Sequence, residues 1–269
     1  LLVNGRITKK SFNRWNFLNK FSKKIFGKFN LCIASNSESE NYLKILGAKN
    51  VKNYGNLKFA NTKMDSNSKL DPSFLNKIAN RKIWCAASTH PSEESFCAYT
   101  HLNLKSVFKN ILTIIIPRHT HRVKVIDKEL SGLNLKVVFY SNLSQMDADT
   151  DILLVDTYGE NSKFFNISKS VFLGGSLIKH GGQNPIEPSR LGSKIFHGVY
   201  VSNFSEIYKY LESLGVTQQV NTPGQLTMDL TEEFFSNKLT NSQVLEKIDN
   251  YGFEILNKVI KEIKIYINT

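Results

Sequence analysis

Polar and glycine residues follow four apolar segments of the sequence, at the points where β-strands would end. After KIWCAA, TIII, ILLV and VFL come, in turn, Ser88, Thr89 and His90; Pro117, Arg118 and His119; Asp156, Thr157, Tyr158, Gly159 and Glu160; and Gly174, Gly175 and Ser176. Open parallel sheets bind their ligands at the carboxyl ends of the strands. We therefore expect these residues to form one binding site at that end of a sheet.

The segment from Gly174 to Glu187, GGSLIKHGGQNPIE, has the composition of a phosphate-binding loop that leads into a helix. Its glycines, Gly182 among them, let the backbone approach a ligand closely. Asn184 is predicted to cap the helix, with Pro185 at its first position and Glu187 placed as in a capping box. Free N–H groups at such a helix start favour a phosphate; alternatively, Glu187 accepts hydrogen bonds from a ribose diol. The pattern differs from the GxGxxG and GxxxxGK(S/T) motifs, which argues against a dehydrogenase and an ATPase.

Several of the polar residues also have structural interpretations. His90 and His119 are alternatively hydrogen-bonded histidines at strand ends. Glu93 and Glu94 are interpreted as ordinary acids in the first turn of a helix. Asp156 has no second acid or histidine at ligand spacing, so no metal or other cofactor is predicted. The remaining histidines considered, His101, His121 and His197, are assigned structural roles.

The composition is that of a globular protein in a reducing compartment. The 269 residues are 41% hydrophobic, and Cys32, Cys85 and Cys97 indicate neither a disulfide framework nor a zinc site. No apolar run reaches the roughly 18 to 20 residues that a membrane helix needs. The net charge of +12 favours an anionic surface, such as phospholipid or phosphorylated glycolipid, unless it simply solvates the protein. No nucleic-acid partner is predicted, because no basic cluster interleaved with aromatics lies near the glycine-rich segment.

Alternating strands and helices must position the polar residues. From KIWCAAS to SKIFHG, short apolar strands alternate with helices, which predicts an α/β fold whose parallel sheet is covered on both faces. The C-terminal segment predicts one or two closing helices, interrupted at Gly252. No paired acids or GxSxG motif indicate a hydrolase.

The first part of the chain has its own strands and helices. Leu1–Val3, LCIASNS and VKNYGN are predicted strands, and Ser37 is predicted to cap a helix that ends near Gly47. An amphipathic helical segment is predicted from the spacing of Phe12, Trp15, Leu18, Phe21 and Ile25. Because a complete α/β domain seldom opens on a buried strand, we expect a region upstream of Leu1.

Six blocks of the sequence together resemble one enzyme family. They are VNGRITKKS at 3–11, YGNLKF at 54–59, AASTHPSEE at 86–94, IIIPRHTHR at 114–122, VDTYGE at 155–160 and GGSLIKHGGQNPIEP at 174–188. In this order they are similar to the 3-deoxy-D-manno-octulosonic acid (Kdo) transferases of lipopolysaccharide synthesis. The resemblance implies a GT-B-type glycosyltransferase at the cytoplasmic face of the bacterial inner membrane. Such an enzyme transfers Kdo, with inversion, from CMP-Kdo to a lipid A precursor.

The resemblance also implies domain boundaries. Residues 1–57 are expected to be the C-terminal part of the N-terminal, acceptor-binding domain, residues 58–72 a polar linker, and residues 73–269 the complete C-terminal Rossmann-like domain with its closing helices. The family's general base is a glutamate upstream of the VNGRIT block. We therefore expect no catalytic residue in this chain, and no transfer by the chain alone.

Roles carried over by position assign the donor site. Arg118 is expected to face the phosphate or cytidine, since a guanidinium forms charge-assisted hydrogen bonds with such groups. The predicted donor contacts are Ser88, Thr89, His90, Pro117, Arg118, His119, Thr157, Tyr158, Gly159, Glu160, Gly174, Gly175, Ser176, Gly182, Gln183, Asn184 and Glu187, with Lys58 as a hinge contact.

The sequence departs from the family at three positions. Gln183 stands where the family commonly has histidine, Tyr158 where a small or apolar residue is expected, and Asn161 where a leucine is expected. Two alternatives to Kdo transfer stay open. One is a different GT-B transferase that uses a UDP-sugar, and the other is a non-catalytic nucleotide-binding remnant.

Overall fold

The computed structural model describes residues 1–60, 70–236 and 242–267. The chain divides into two units, the first formed by residues 1–63 with 246–269 and the second by residues 64–245. The predicted linker at 58–72 lies largely outside the described residues. Among the helices described, none is both long and apolar enough to cross a membrane.

The first unit contains a small parallel sheet. Its strands are β1 (Leu2–Gly5), β2 (Cys32–Ala34) and β3 (Val51–Asn53), in that order across the sheet. The three predicted strands are thereby confirmed. Apolar side chains of these strands pack with Ile7, Phe26, Leu43 and Leu46 in one core.

The helix after β2 begins one residue earlier than the sequence indicated. Asn36, rather than Ser37, is the N-cap of α3 (Ser37–Ile45), because its side chain accepts a hydrogen bond from Ser39 N at 2.8 Å. Asn and Ser are nearly equivalent caps, so the sequence alone does not choose between neighbours of these types. Gly47 follows the helix with φ of +103°, as predicted for its end.

The amphipathic segment after β1 forms two helices. They are α1 (Lys9–Phe17) and α2 (Asn19–Phe26), and the chain bends between them at Leu18. Phe26 is buried and its ring meets Trp15 edge-on at 5.3 Å. Leu18 and Phe21, expected to belong to the same apolar stripe, are exposed instead.

The second unit is built on a seven-stranded parallel sheet. Its strands are β4 (Lys82–Thr89), β5 (Ile111–Pro117), β6 (Val137–Phe139), β7 (Ile152–Leu154), β8 (Ser170–Leu173), β9 (Lys194–His197) and β10 (Thr217–Gln219), in the order β10-β9-β8-β4-β5-β7-β6. From β4 the chain extends to β5 on one side and later returns to β8 on the other. This reversal between β4 and β8 is the topological switch point, where α/β sheets bind ligands.

Helices cover this sheet and confirm the predicted α/β class. They are α4 (Pro72–Ile78), α5 (Glu93–Val107), α6 (Val123–Ser131), α7 (Asn161–Phe165), α8 (Ile186–Arg190), α9 (Ser205–Ser213) and α10 (Pro223–Phe235). Every residue of β5 is buried, as expected for a strand with both faces covered. One apolar core of this unit surrounds Trp84 and includes residues of α5, α6 and α10.

The predicted interruption at Gly252 is wrong, because α11 (Ser242–Ile267) is one continuous helix. A single glycine inside a helix costs about 1 kcal/mol relative to alanine, and packing offsets that cost here. Residues 246–269 belong to the first unit by their contacts. Tyr54 donates a hydrogen bond to Glu262 at 2.6 Å, and the ring of Phe59 meets Tyr251 at 5.0 Å.

A buried polar cluster lies at the amino-terminal end of the large sheet. The His101 ring bonds Thr113 Oγ1 at 2.8 Å and Asp151 Oδ1 at 3.2 Å, and Lys105 Nζ lies 2.5 Å from the same oxygen. The backbone N–H of Lys136 donates to Asp151 Oδ2 at 3.0 Å. These partners outweigh the effect of burial and hold the pKa of Asp151 well below its usual range. The structural role assigned to His101 is thus confirmed.

Replacing Asp151 should therefore destabilise the second unit. We expect Asp151→Asn to lower the free energy of unfolding at pH 7 by about 3–5 kcal/mol, as when one partner of a buried ion pair is removed. The folded-state pKa is depressed, so this contribution is present above the unfolded pKa and is lost on acidification below about pH 4. Urea unfolding at pH 7 and pH 3.5 measures both effects.

The matched control is Asp147→Asn, which weakens an exposed pair with Lys136. It should cost about 1 kcal/mol or less. Equal effects of the two substitutions would contradict the assignment of the Asp151 cluster as a buried stabilising network.

Candidate functional site

The loops after β4 and β8 meet so closely that one position admits only glycine. Gly174 follows β8, and its backbone N–H donates to Ala87 O at 2.9 Å. A Cβ at Gly174 would lie 2.5 Å from Ser88 O and 2.6 Å from Thr89 Cα, where neither backbone atom can easily yield. The two loops thus form one wall of the site at the switch point.

The carboxylate of Glu93 fixes both loops. Glu93 is the first residue of α5 and is fully buried. It accepts hydrogen bonds from the backbone N–H groups of His90 at 2.9 Å, Gly175 at 2.7 Å, Ser176 at 3.0 Å and Leu177 at 2.9 Å. Burial raises the pKa of Glu93, and the four N–H donors oppose that rise by stabilising the anion. Three successive amides of the glycine-rich loop are therefore committed to Glu93.

Further hydrogen bonds fold the glycine-rich loop back on itself. Ser176 Oγ donates to Leu173 O at 2.5 Å and accepts from Gly198 N at 2.8 Å. Gly182 N donates to Gly175 O at 2.8 Å, and both glycines have positive φ. The four glycines predicted to bring backbone close to a ligand are thus used, at least in part, to close the loop.

Glu94, the second buried acid, joins the β4 loop to the β5 loop. Its carboxylate accepts a hydrogen bond from Thr89 Oγ1 at 2.9 Å and a two-point contact from Arg122 at 2.8 and 3.2 Å. Such bidentate pairing fixes the guanidinium in direction as well as distance. Glu93 and Glu94 do lie in the first turn of α5. They are not ordinary first-turn acids, however, because both carboxylates are buried and hold neighbouring loops together.

Four histidines gather beside these loops. The ring of His90 lies 4.3 Å from that of His180 and 6.0 Å from that of His119, and His119 stacks on His121 at 5.5 Å. Burial, followed by the neighbouring histidines and Arg122, lowers the pKa of His90 to about 4. Its Nε2 is buried and has no partner among the described residues. The imidazole is therefore neutral at pH 7 and retains one free hydrogen-bonding atom.

The loop after β7 approaches the β5 loop. A hydrogen bond with Thr120 is the main cause that lowers the pKa of Tyr158, and the positive charge of Arg118 adds to it. Asp156 accepts from Ser141 N at 3.0 Å and from Ser141 Oγ at 2.5 Å. Gly159 has φ of +81° and open space around its Cα. Tyr158 is exposed, and its hydroxyl lies close enough to Arg118 to feel that charge.

The capping prediction for Asn184 and Glu187 is wrong in detail. Pro185 is the N-cap residue of α8, and Asn184 Oδ1 accepts from Ile186 N at 3.3 Å. Glu187 is exposed and accepts a hydrogen bond from Ser162 Oγ, at the start of α7, instead of reaching back to the cap. Asn184 still accepts from one free N–H at the helix start, but Glu187 bonds Ser162 and so does not complete the reciprocal bond of a capping box.

The structure brings most of the predicted donor contacts to the same end of the sheet. Residues of the β4, β5 and β8 loops are in mutual contact, Tyr158 touches the β5 loop, and Glu187 touches α7. Pro117 is the last residue of β5, and Arg118, Thr157, Glu160 and Gln183 lie in these same loops. Lys58 lies in the first unit, in a short 3₁₀ helix at Leu57–Ala60.

Four residues of this site were not predicted to belong to it: Arg122 and His180 were assigned no role, and Glu93 and Glu94 were predicted only as ordinary first-turn acids. The blocks AASTHPSEE and IIIPRHTHR contain three of them, but an acid at a helix start and an arginine after a histidine are common. His180 lies in the glycine-rich segment and is the histidine closest to His90. Only the fold shows which of these side chains meet.

Comparisons with known proteins agree with the resemblance seen in the sequence. Residues 1–61 match a family model described as 3-deoxy-D-manno-octulosonic-acid transferase (kdotransferase). The Kdo transferase of Haemophilus influenzae is 28% identical and aligns with 95% of this chain and 60% of its own length. That of Rickettsia prowazekii is 29% identical, with 99% of this chain and 59% of its own length aligned.

The first part of this chain thus matches the Kdo transferase family model, and nearly the whole chain is similar to curated Kdo transferases. It spans about 60% of the length of these curated relatives. A bifunctional glycosyltransferase/methyltransferase of Fusobacterium nucleatum is also similar, at 30% identity over 97% of this chain and 41% of that protein.

Solved structures support the GT-B fold of this Kdo transferase relative. The C-terminal CMP-Kdo binding domain of WaaA from Acinetobacter baumannii matches with a TM-score of 0.55 and 22% identity, over 69% of this chain and 99% of that domain. A UDP-forming trehalose-phosphate synthase of Burkholderia vietnamiensis matches with a TM-score of 0.55 and 11% identity, over 98% of this chain and 68% of its own. The predicted fold class is thus confirmed.

Replacing Glu93 should loosen the glycine-rich loop. In Glu93→Gln an NH2 group replaces one carboxylate oxygen. Its two N–H donors then face backbone N–H groups that need an acceptor. We expect a loss of about 3 kcal/mol in the free energy of unfolding. Hydrogen exchange at the amides of Gly175, Ser176 and Leu177 should also accelerate at least tenfold. The exposed Glu129→Gln is the matched control, and similar exchange in both variants would refute this role.

His90 should make the protein sensitive to acid. Its folded pKa of about 4 lies below the ordinary value near 6.5, so the unfolded chain takes up the proton first as the pH falls. The resulting loss in the free energy of unfolding is absent at pH 7 and grows as the pH falls from 6.5 to 4. We expect His90→Gln to lose less stability than the wild type between pH 7 and 4.5, by on the order of 2 kcal/mol. Urea titrations at both pH values test this, with exposed His121→Gln as control, and an equal loss in His90→Gln and wild type would contradict it.

Proposed function

We propose that this chain provides the CMP-Kdo-binding part of a glycosyltransferase that transfers Kdo to a lipid A precursor. The observation that carries the proposal is the scaffold at the switch point, where Glu93 orders the glycine-rich loop beside a group of cationic and imidazole side chains. Similarity to curated Kdo transferases supports the reaction class. The WaaA domain of the same fold, which is named for binding CMP-Kdo, supports the choice of donor.

The charges of the site suit a ligand with two anionic groups. CMP-Kdo carries a phosphate and a sugar carboxylate. Arg122 is paired with Glu94, so the exposed Arg118 is the arginine assigned to contact the phosphate as it becomes the leaving group. His90 contributes a free Nε2, and His119 and His180 lie within reach of the same ligand.

The nucleoside is assigned to the loops after β7 and before α8. Thr157, Gly159 and Glu160 offer side-chain and backbone groups on an exposed rim. Glu187 is exposed, and its carboxylate accepts a hydrogen bond from the hydroxyl of Ser162. The hydroxyls of a ribose diol are donors of the same kind, so a bound ribose would compete with Ser162 for this carboxylate or replace it. α8 has five residues, too few for a strong helix dipole, so side chains carry more of the binding than the helix start does.

The transfer reaction is proposed to need a catalytic base that is not among the donor-binding residues. Deprotonation of the acceptor hydroxyl is assigned to a glutamate in the upstream part of the acceptor domain, with residues 58–72 as the connection between domains. Transfer then proceeds with inversion while the CMP phosphate leaves. Under this assignment the chain by itself binds the donor without transferring it. The proposed place of action is the cytoplasmic face of the inner membrane.

Binding of nucleotides by this chain tests the donor assignment. In isothermal titration calorimetry at pH 7.5 we expect CMP to bind at least tenfold more tightly than UDP. Arg118→Ala should weaken CMP binding by about 10- to 100-fold, the effect of one charge-assisted hydrogen bond. Lys128→Ala removes an exposed cation from α6 and should leave CMP binding unchanged. Tighter binding of UDP, or an unaffected Arg118→Ala, would reject the assignment.

The reaction itself is tested with the complete product of the gene. The measurement is transfer of labelled Kdo from CMP-Kdo to a lipid A precursor. If no Kdo is transferred while another activated sugar reacts, the proposed donor is wrong.

A further inference from the structure

The second half of the glycine-rich loop is held by residues outside the assigned donor contacts. Glu93 binds the first half, through the backbone N–H groups of residues 175–177. Residues 180–183 contact the loop after β9 and the helix α9 instead. Two side chains from these elements, Asn203 and Tyr208, donate hydrogen bonds to main-chain oxygens of this half.

Asn203, in the loop after β9, bonds two consecutive carbonyl groups. Its backbone N–H donates to Gly181 O at 2.9 Å, and its Nδ2 donates to His180 O at 3.1 Å. Gly181 has φ of +100°, and a Cβ there would lie 2.5 Å from Asn203 Nδ2. The side chain of Asn203 therefore occupies the space that any residue other than glycine would need at position 181.

Tyr208, in α9, holds the end of the same segment. Its hydroxyl donates to Gln183 O at 3.0 Å, and its ring meets that of His197 edge-on at 4.5 Å. The side chain is buried, and burial raises the pKa of the phenol, so the hydroxyl keeps its proton at neutral pH. Gln183 O thus has a permanent donor beneath it.

Three side chains converge over Gly175, and we call them the Gly175 cluster: His90, His180 and Gln183. A Cβ on Gly175 would lie 3.1 Å from His180 Cδ2 and 3.3 Å from both Gln183 Nε2 and His90 Cδ2. Among the described residues, no hydrogen bond restrains the side chain of His180 or Gln183. The direction of these two side chains therefore depends on the backbone that Asn203 and Tyr208 hold.

We propose that Asn203 and Tyr208 are positioning residues that keep the Gly175 cluster together, and that this cluster binds the sugar part of the nucleotide-sugar donor. The inference rests on the proposed function and deepens it. There, Arg118 is assigned to the phosphate and the loops after β7 and before α8 to the nucleoside, which leaves the sugar. Imidazole and carboxamide groups form hydrogen bonds with both the carboxylate and the hydroxyls of such a sugar.

Side chains must supply these contacts, because the nearby amides of the loop are occupied. The N–H groups of residues 175–177 donate to Glu93. His90 Nε2 is buried and has no partner among the described residues, so it keeps its capacity for a ligand. Loss of a positioning hydrogen bond would shift His180 or Gln183 away from His90 without removing any group that contacts the donor.

Isothermal titration calorimetry with CMP and with CMP-Kdo tests the proposal. Tyr208→Phe removes only the hydroxyl, and Asn203→Leu keeps a branched side chain without the amide donor. We expect each variant to weaken binding of CMP-Kdo by about tenfold, because each loses one hydrogen bond that orders the cluster. Binding of CMP, which has no sugar acid, should change by about twofold or less and shows that each variant is folded.

Two controls separate positioning from stability. Ser193→Ala removes a buried hydrogen bond to Ser168 O just before β9, so it lowers the free energy of unfolding but should leave binding of both ligands unchanged. Tyr99→Phe alters an exposed tyrosine of α5 and should behave like the wild type. A loss of CMP-Kdo binding in Ser193→Ala as large as that in Tyr208→Phe would overturn the proposal.

A second readout needs no ligand. Burial, followed by the charge of His180, lowers the pKa of His90. In Asn203→Leu we expect that pKa to rise toward the ordinary value near 6.5, because His180 is no longer held beside His90. NMR titration of the imidazole measures the rise, and Tyr99→Phe should show none.

The possible failures are distinguishable. Variants that bind CMP-Kdo like the wild type, or that lose CMP and CMP-Kdo equally, contradict the assignment of the Gly175 cluster to the sugar. An unchanged pKa of His90 in Asn203→Leu rejects the positioning role. A wild-type chain that binds UDP more tightly than CMP rejects the donor assignment of the proposed function.

Discussion

The structure of the candidate site depends on one buried charge, the carboxylate of Glu93. An isolated carboxylate in a protein interior costs several kcal/mol, and here four backbone N–H groups offset that cost. One donor comes from the loop after β4 and three from the loop after β8, so a single anion joins two strand ends across the switch point. The loops then approach so closely that Gly174 has no room for a Cβ. Loop shape is therefore set before any ligand arrives.

A second consequence concerns the balance of charge at the site. Both buried acids are satisfied internally, Glu93 by amides and Glu94 by Arg122. Arg118 and the histidines keep their hydrogen-bonding capacity for a ligand. Part of the lowered pKa of His90 comes from these positive neighbours, so a bound anion that screens them would raise the proton affinity of His90. Ligand binding and protonation of His90 are thus coupled through the same charges.

The sequence predicted the elements better than the contacts between their side chains. Strands such as β5 are continuous apolar runs, and positive-φ glycines such as Gly47 mark helix ends, so both follow from local chemistry. Glu93 could not be found in this way, because three of its four partners lie more than 80 residues away in the chain. Glu187 was assigned to a local cap but bonds Ser162 instead. The amphipathic spacing around Leu18 was visible in the sequence, but the break between α1 and α2 at Leu18 and the exposure of Leu18 and Phe21 were not.

The net charge of +12 is distributed unevenly along the chain. Residues 64–245 hold 18 basic and 17 acidic residues, so the unit with the candidate donor site is almost neutral. Residues 1–63 hold 13 basic and two acidic residues and account for +11. The nucleotide sugar of the proposed function carries two anionic groups, and a few cations, Arg118 among them, would suffice for it. The excess of eleven positive charges in residues 1–63 is larger than one such ligand needs, and a partner with many anionic groups would engage more of these lysines at once.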